Sequence, residues 1–315
     1  MNNKDSVDML HGPLISKIIF FAIPVALSSM LQQLFNAADT SVVGHFADAG
    51  ALASVGTNGE IVALLVTVSA GLSVGANVMC AHRIGENKRE EIPAIMRTAI
   101  LFAIVAGILI GLGGILSAKP ILKLIKTPAD AVHGAVIYLR IYCAGMPFLM
   151  LYDFGSALLR AHGNSKLPFI ALTVSGVLNV LLNLLFVIVM HLGVAGVALA
   201  TDISTAVSAA IVLFKLRPFC RGEKIKPSGH ILLHILGIGI PSAIQGAVFC
   251  FANIFVQASV NSFGSIATSG STIAMNFEYF GYYMITAFGQ AATTFTSQNY
   301  AAGLMKRCRK VLLIC

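Results

Sequence analysis

GPLISKIIFFAIPVALSSMLQQLFNAADTSVVGHF, residues 12–46, is answered later in the chain by GHILLHILGIGIPSAIQGAVFCFANIFVQASVNSF, residues 229–263. At an offset of 217, Gly12 falls on Gly229, Ile23-Pro24 on Ile240-Pro241, Asn36 on Asn253, Val43 on Val260 and Phe46 on Phe263. One inserted residue moves the offset to 218, and the register continues with Asn58 on Asn276, Glu60 on Glu278, Gly71 on Gly289, Gly85 on Gly303 and Lys88-Arg89 on Lys306-Arg307. Each stretch lacks strand alternation and far exceeds the ~10 residues of a barrel strand. Each also exceeds the ~20 apolar residues that cross a bilayer as helix. The series therefore reads as an internal repeat whose unit opens with two membrane-spanning helices.

Outward from this pair, apolar runs recur at about 14–45, 51–80, 92–118, 130–159, 167–190, 194–216, 230–262 and 266–300, eight spans in all. A ninth begins after the basic residues 306–310. Six spans separate equivalent positions, and because six is even the copies share one topology, related by a pseudo-two-fold axis along the membrane normal. The expected fold is an all-α polytopic membrane protein. It has a six-helix N-terminal lobe over 1–217, a cytoplasmic linker over 218–229, and over 230–315 a partial C-terminal lobe holding spans seven, eight and the start of nine. About 8 of 12 helices are then represented, which leads to the expectation of a C-terminally truncated chain.

Composition agrees with a bilayer setting: 57% of residues are apolar and 11% charged, against roughly 25% charged in soluble domains. The 21 basic residues outnumber the 13 acidic ones, but their placement excludes a nucleic-acid face. Apart from Lys119, Lys123, Lys126 and Arg140, they sit in the N-terminus and the loops after even-numbered spans. The positive-inside bias puts those segments in the cytoplasm, and the expected location is the inner or plasma membrane. The six cysteines have no paired spacing, so neither a zinc site nor a disulfide framework is expected. The first apolar run is too long for a signal-peptide core.

Ionisable and amide side chains inside spans are costly, and they mark candidate sites. Asp39 shares its span with Gln32, Gln33, Asn36 and Thr40, most of them on one sector of the helix. Asn179 and Asn183 stand one turn apart in the fifth span, and Thr201 follows the small-residue run that opens the sixth. Asp39 with the oxygens of Asn179, Asn183 and Thr201 either takes up a proton or forms part of an oxygen cage for Na+. Asp153 in the fourth span precedes Arg160 by seven residues, Asp202 lies near the outer end of the sixth, and Glu60 and Glu278 are repeat equivalents. Pro24 leaves one carbonyl of the first span without its helical donor, so that helix is a candidate hinge. The eight histidines are scattered, and no metal-ligand or nucleophile-base pattern for an intramembrane enzyme is present, so no catalytic residue is assigned.

These residues resemble the multidrug and toxic compound extrusion transporters over nearly the whole chain. The resemblance rests on Ile23-Pro24, Gln33, Asp39-Thr40-Ser41-Val42-Val43-Gly44, Ala51-Leu-Ala-Ser54-Val-Gly56, Arg83-Ile-Gly85-Glu86, Arg160-Ala-His-Gly163-Asn-Ser-Lys166, Asn179 to Asn183, and Gly193-Val-Ala-Gly196-Val-Ala-Leu-Ala-Thr201. It implies a two-lobed twelve-helix exporter, acting as a monomer without a bound cofactor, in which Na+ or H+ entry drives out organic cations by alternating access. It also implies that Asp39 is the essential first-helix carboxylate, Asn179 and Thr201 its partners, Pro24 the bend proline and Tyr138 a neighbour of the cluster. Gln33, Asn36, Tyr138, Asp153 and Glu278 are the candidate cavity residues. Asn183 departs from archaeal members, which place a second aspartate there. Two alternatives stay open, a lipid-linked saccharide exporter of the same superfamily and an inactive truncated remnant. The first needs cations inside the membrane, whereas the interior groups here are acidic or neutral.

Overall fold

The computed structural model describes residues 6–46, 49–125, 127, 131–220, 227–261 and 265–315. Among the described residues every regular element is helical: α1 Leu14–Phe46, α2 Ala49–Gly85, α3 Ile92–Leu124, α4 Val132–Ala144, α5 Met146–Ala161, α6 Lys166–Asn183, α7 Gly193–Leu216, α8 Gly229–Asn261, α9 Ser265–Ala301 and α10 Met305–Ile314. Six helices are long and apolar enough to cross a membrane, seven when the bent pair α4–α5 counts as one. That count leaves out α9, which is rich in Ser, Thr, Asn and Tyr but occupies the place of the expected eighth span. Leu109, Leu116, Leu181, Phe214 and Leu233 are exposed, as expected of side chains that meet lipid rather than water. Of the linker expected over 218–229, residues 221–226 lie outside the described residues, as does Phe263, the repeat partner of Phe46.

The first lobe closes on itself. In it α1 packs on α6, α2 on α4 and α5, α3 on the same two, and α7 on α4, α5 and α6. Its core is built around Ile95, Met96, Met150, Phe154 and Leu158. The repeat continues across its flank, with α8 along α2 and α9 against α1 and α2. Small residues make that seam possible, because close backbone approach is what drives helices together in lipid. A Cβ on Gly75 would strike the Ile235 carbonyl oxygen, and one on Gly239 would come within 2.6 Å of the Leu72 carbonyl.

The seam is tightest at the end of the bundle that carries residues 7–12, hereafter the base. There Thr294 Oγ1 donates to Asn77 Oδ1 (3.0 Å), and Asn77 Nδ2 donates to the Ala157 carbonyl (2.9 Å). Gln298 Nε2 donates to the Ala161 carbonyl at 2.7 Å. The N-terminal segment ties both lobes: Val7 N donates to Gly163 O (3.0 Å), while Met9 O accepts from Asn299 Nδ2 (3.1 Å) and from Arg307 (3.2 Å). Met9 is itself fully buried beside Phe21, Phe295 and Val311.

Two spans differ from the sequence expectation. The fourth, expected as one helix over 130–159, is broken at Gly145 into α4 and α5 with a 46° bend. The cause is Pro147, which has no N–H to continue the α4 ladder and suits the first turn of a new helix instead. The fifth leaves α geometry after Asn183, where Leu184–Val189 winds as a π-helix. Such wide turns cluster at functional sites.

Candidate functional site

Between α1, α6 and α7 four polar side chains close a ring. Asn183 Nδ2 donates to Asp39 Oδ1 (2.5 Å) and to Asn179 Oδ1 (3.3 Å). Asn179 Nδ2 points to Thr201 Oγ1 (3.4 Å), and Thr201 Oγ1 lies 3.4 Å from Asp39 Oδ2 while donating to the Val197 carbonyl at 3.0 Å. Asp39, Asn179 and Asn183 are all buried. The approach of α1 to α6 has a local cause: the Phe35 ring lies where a Cβ on Gly176 would be. Only glycine lets the two helices come near enough for Asp39, one turn after Phe35, to meet Asn183.

The ring holds one carboxyl group and is incompletely satisfied. Among the described residues, no ion pair involves Asp39, and Asn183 Oδ1 is buried with no hydrogen-bond partner. Turning the Asn183 amide over would aim its oxygen at the carboxylate, so the orientation follows from the bonds it makes. An unpaired buried carbonyl oxygen costs about 1–3 kcal/mol. A buried carboxylate without a counter-charge costs more. A small cation or a proton would relieve the carboxylate. Carboxylate, amide and hydroxyl oxygens are hard donors of the type that hard cations prefer. Among the described residues no cluster of three His, Cys, Asp or Glu is placed to hold a metal, so this is a one-carboxylate site.

The other candidates fall in distinct places. Asn36 and Gln32 line, with Asp39, Asn179 and Thr201, a cavity of about 70 Å³ beside the ring. Gln33, on the adjacent face, accepts a hydrogen bond across the lobes from the Tyr283 hydroxyl at 3.1 Å. Thr40 is exposed and turned from the ring, its hydroxyl donating to the Asn36 carbonyl. Tyr138 is buried, stacked on Tyr142 with ring centres 6.3 Å apart, and within electrostatic reach of both Asp39 and Asp202. Asp153 stays apart from the ring and accepts from Ser69 Oγ at 2.6 Å, between α2 and α5. Pro24 lies inside α1, which continues through it, with Ser28 Oγ donating to the Pro24 carbonyl at 2.7 Å.

Glu60 and Glu278 are exposed. Although they belong to different lobes, both lie within electrostatic reach of Tyr279. Beside them Phe249 stacks on Tyr282, centres 5.6 Å apart, and Tyr279 on Tyr283 at 6.1 Å. The sequence did not foresee the position of Asp202. Its carboxyl fills the space that a Cβ on Gly145 would occupy, at the bend between α4 and α5. Gly-Met-Pro at 145–147 was the available signal for that bend.

A family model described as MatE matches residues 24–185 and 241–315. The chain is 27% identical over 306 residues to the probable multidrug resistance protein YoeA of Bacillus subtilis, covering 93% of this chain and 66% of the relative. It is 28% identical to the probable multidrug resistance protein NorM of Thermotoga maritima, covering 91% of this chain and 63% of that protein. The chain thus spans about two thirds of these relatives' length. Among solved structures, a MATE protein in its straight conformation superposes with a TM-score of 0.90 at 25% identity, covering 100% of this chain and 71% of the other.

Proposed function

Because the chain belongs to the MatE family, we propose that the full-length protein is an exporter of organic cations in the inner or plasma membrane, exchanging them for Na+ or H+ taken up at Asp39. The carrying observation is the buried ring of Asp39, Asn179, Asn183 and Thr201, which holds one negative charge and one unpartnered amide oxygen. Residues 1–217 supply this ion site, residues 230–315 supply part of the facing wall, and 218–229 link them. The chain acts as a monomeric carrier and not as an enzyme.

The substrate class follows from the walls between the lobes. Neither α8 nor α9 contains a lysine or arginine, and in α1 and α2 the only ones, Lys17 and Arg83, lie near the base. Glu60, Glu278 and the Phe249, Tyr279, Tyr282 and Tyr283 rings instead offer carboxylates and aromatic faces, which suit a flat cation. A lipid-linked saccharide with an anionic head group finds no positive partner there. With the N-terminus in the cytoplasm, closure at the base corresponds to an outward-open state.

In cells producing the full-length protein, Asp39→Asn abolishes efflux of a cationic dye while leaving the amount of protein in the membrane unchanged. Undiminished efflux from this variant refutes the coupling role. If Na+ is the ion, added Na+ stabilises the purified protein and Asn179→Ala removes the effect. If H+ is the ion, transport follows pH and ignores Na+.

A further inference from the structure

A second cavity, of about 370 Å³, lies at the base of the first lobe between the ends of α2, α3, α5 and α7. Its volume is within the roughly 300–1,000 Å³ of small-molecule sites, and it takes no part in the ring or the cleft. Arg89 and Lys215 stand on its walls, and no ion pair between described residues involves either. Two of the nearby acids are engaged elsewhere: Glu86 pairs with Arg83 (2.6 Å) and Lys88 (3.3 Å), and Glu91 with Arg83 (3.0 Å).

His162 stands on the same wall. Its Nδ1 lies 2.9 Å from the Leu158 carbonyl and therefore carries the proton of that bond. Nε2 is left as an acceptor, and it is buried without a partner. Phe219 covers the ring at 4.7 Å, and burial keeps the imidazole below its ordinary titration range, so Nε2 stays an acceptor near neutral pH. Nε2 is closed off from the cavity in this conformation, so it is Arg89 and Lys215, neither in an ion pair with a described residue, that call for an anion. Ile84, Ile92 and Leu159 give the cavity an apolar floor, and basic pockets among helix ends on the cytoplasmic side are where anionic head groups bind.

We propose that this cavity binds a phosphate, either the phosphoglycerol head group of an inner-leaflet lipid or free hydrogen phosphate, with Arg89 and Lys215 on the phosphate and the neutral His162 ring on the wall beside them. The turn that carries His162 is the one gripped by Val7 from the N-terminal strap of residues 7–12 and by Gln298 from the second lobe, so occupancy of the cavity bears on closure of the base.

The test is thermal unfolding of the purified full chain in neutral detergent. The additions are phosphatidylglycerol micelles, phosphatidylcholine micelles, inorganic phosphate, or chloride at matched ionic strength. Phosphatidylglycerol that stabilises where phosphatidylcholine does not, with phosphate inert, identifies the lipid. Stabilisation by phosphate beyond chloride identifies the free anion. In either case Arg89→Gln and Lys215→Gln, both at exposed positions, each weaken the effect about 10-fold or more, the loss of one charge-assisted hydrogen bond. His162→Phe keeps the ring and weakens it less. Stabilisation equal to that of the matched controls, or unaltered in the two Gln variants, overturns the proposal. This readout is independent of ion coupling and drug export.

Discussion

Replacing Asn183 by aspartate probes the ring most sharply, because it preserves shape while adding a charge where the structure has an amide hydrogen. In the native ring Asn183 Nδ2 donates to Asp39 Oδ1 at 2.5 Å. In Asn183→Asp two carboxylates meet there. Two like charges ~4 Å apart repel by about 4 kcal/mol at an effective dielectric near 20, about a thousandfold in population. The pair therefore holds together only with a shared proton or an intervening cation. At low pH the shared proton restores the lost hydrogen bond, so stability is present in acid and lost as pH rises. Na+ that enters the ring counters the loss. The assay is thermal unfolding of the purified variant across pH, with and without Na+, choline serving as the ionic-strength control. Asn183→Ala is the reference: it strands the Asp39 and Asn179 oxygens, costs about 2–5 kcal/mol at any pH, and adds no repulsion. An Asn183→Asp protein as stable as the native one in alkaline, Na+-free buffer refutes the ring geometry. Equal rescue by choline refutes cation entry.

Two further outcomes concern the base. Thr294→Val keeps shape but leaves Asn77 Oδ1 buried without its donor, which costs the closed base about 1–3 kcal/mol and shifts the equilibrium toward opening by about 5–150-fold. Spin labels at exposed Lys88 and Lys310 should then report a longer inter-lobe distance, and an unchanged distribution contradicts this. Burial, reinforced by Arg89, keeps the His162 imidazole neutral below its ordinary range, although its bond to Leu158 pulls the other way. The unfolded turn takes up a proton below pH ~6.5 and the folded one does not, so the turn is fully stable above that pH and loosens as pH falls. Faster hydrogen exchange at Gly163 and Asn164 in mild acid, abolished by His162→Gln, is the expected readout.

The arrangement of helices was legible because lipid imposes a simple code: every span must be apolar for about 20 residues, and a polar group within a span must find a partner. That code joins Asp39 to Asn179, Asn183 and Thr201 across 162 residues of separation and picks out α2 and α9 as equivalents. It does not register backbone irregularities inside an apolar run. The bend at Gly145 lies within continuous hydrophobicity, so the fourth span reads as one helix although Pro147 removes a donor. The π-helix at Leu184–Val189 is less visible still, since Leu-Leu-Phe-Val-Ile-Val has no composition that distinguishes a wide turn from an α turn. The strap escaped for the opposite reason. Residues 7–12 are short and aperiodic, and the core that Met9 joins includes α9 and α10, nearly 300 positions away, as well as α1.

The repeat gives two lobes one plan, yet the proposed ion site is not repeated: the position equivalent to Asp39 is Val256, which is exposed. An event at Asp39 must therefore reach the second lobe mechanically, and α1 is the element placed to carry it. It belongs to the ring through Asp39, packs on α6 through Phe35, lies against α9, and holds the Tyr283 hydroxyl through Gln33, less than two turns before Asp39. Pro24 removes one backbone bond between this polar half and the base, where Ile18 and Phe21 are locked into the core with Met9 and Phe295. A change in the charge of the ring can then tilt the outer half of α1, and with it the Gln33–Tyr283 contact, while the base stays closed. Under the proposed function, a helix anchored at one end, bearing a carboxyl group at the other and missing a bond between is suited to be the two-state element that ion and substrate would both bias, so that a single carboxylate would be enough to couple the two lobes.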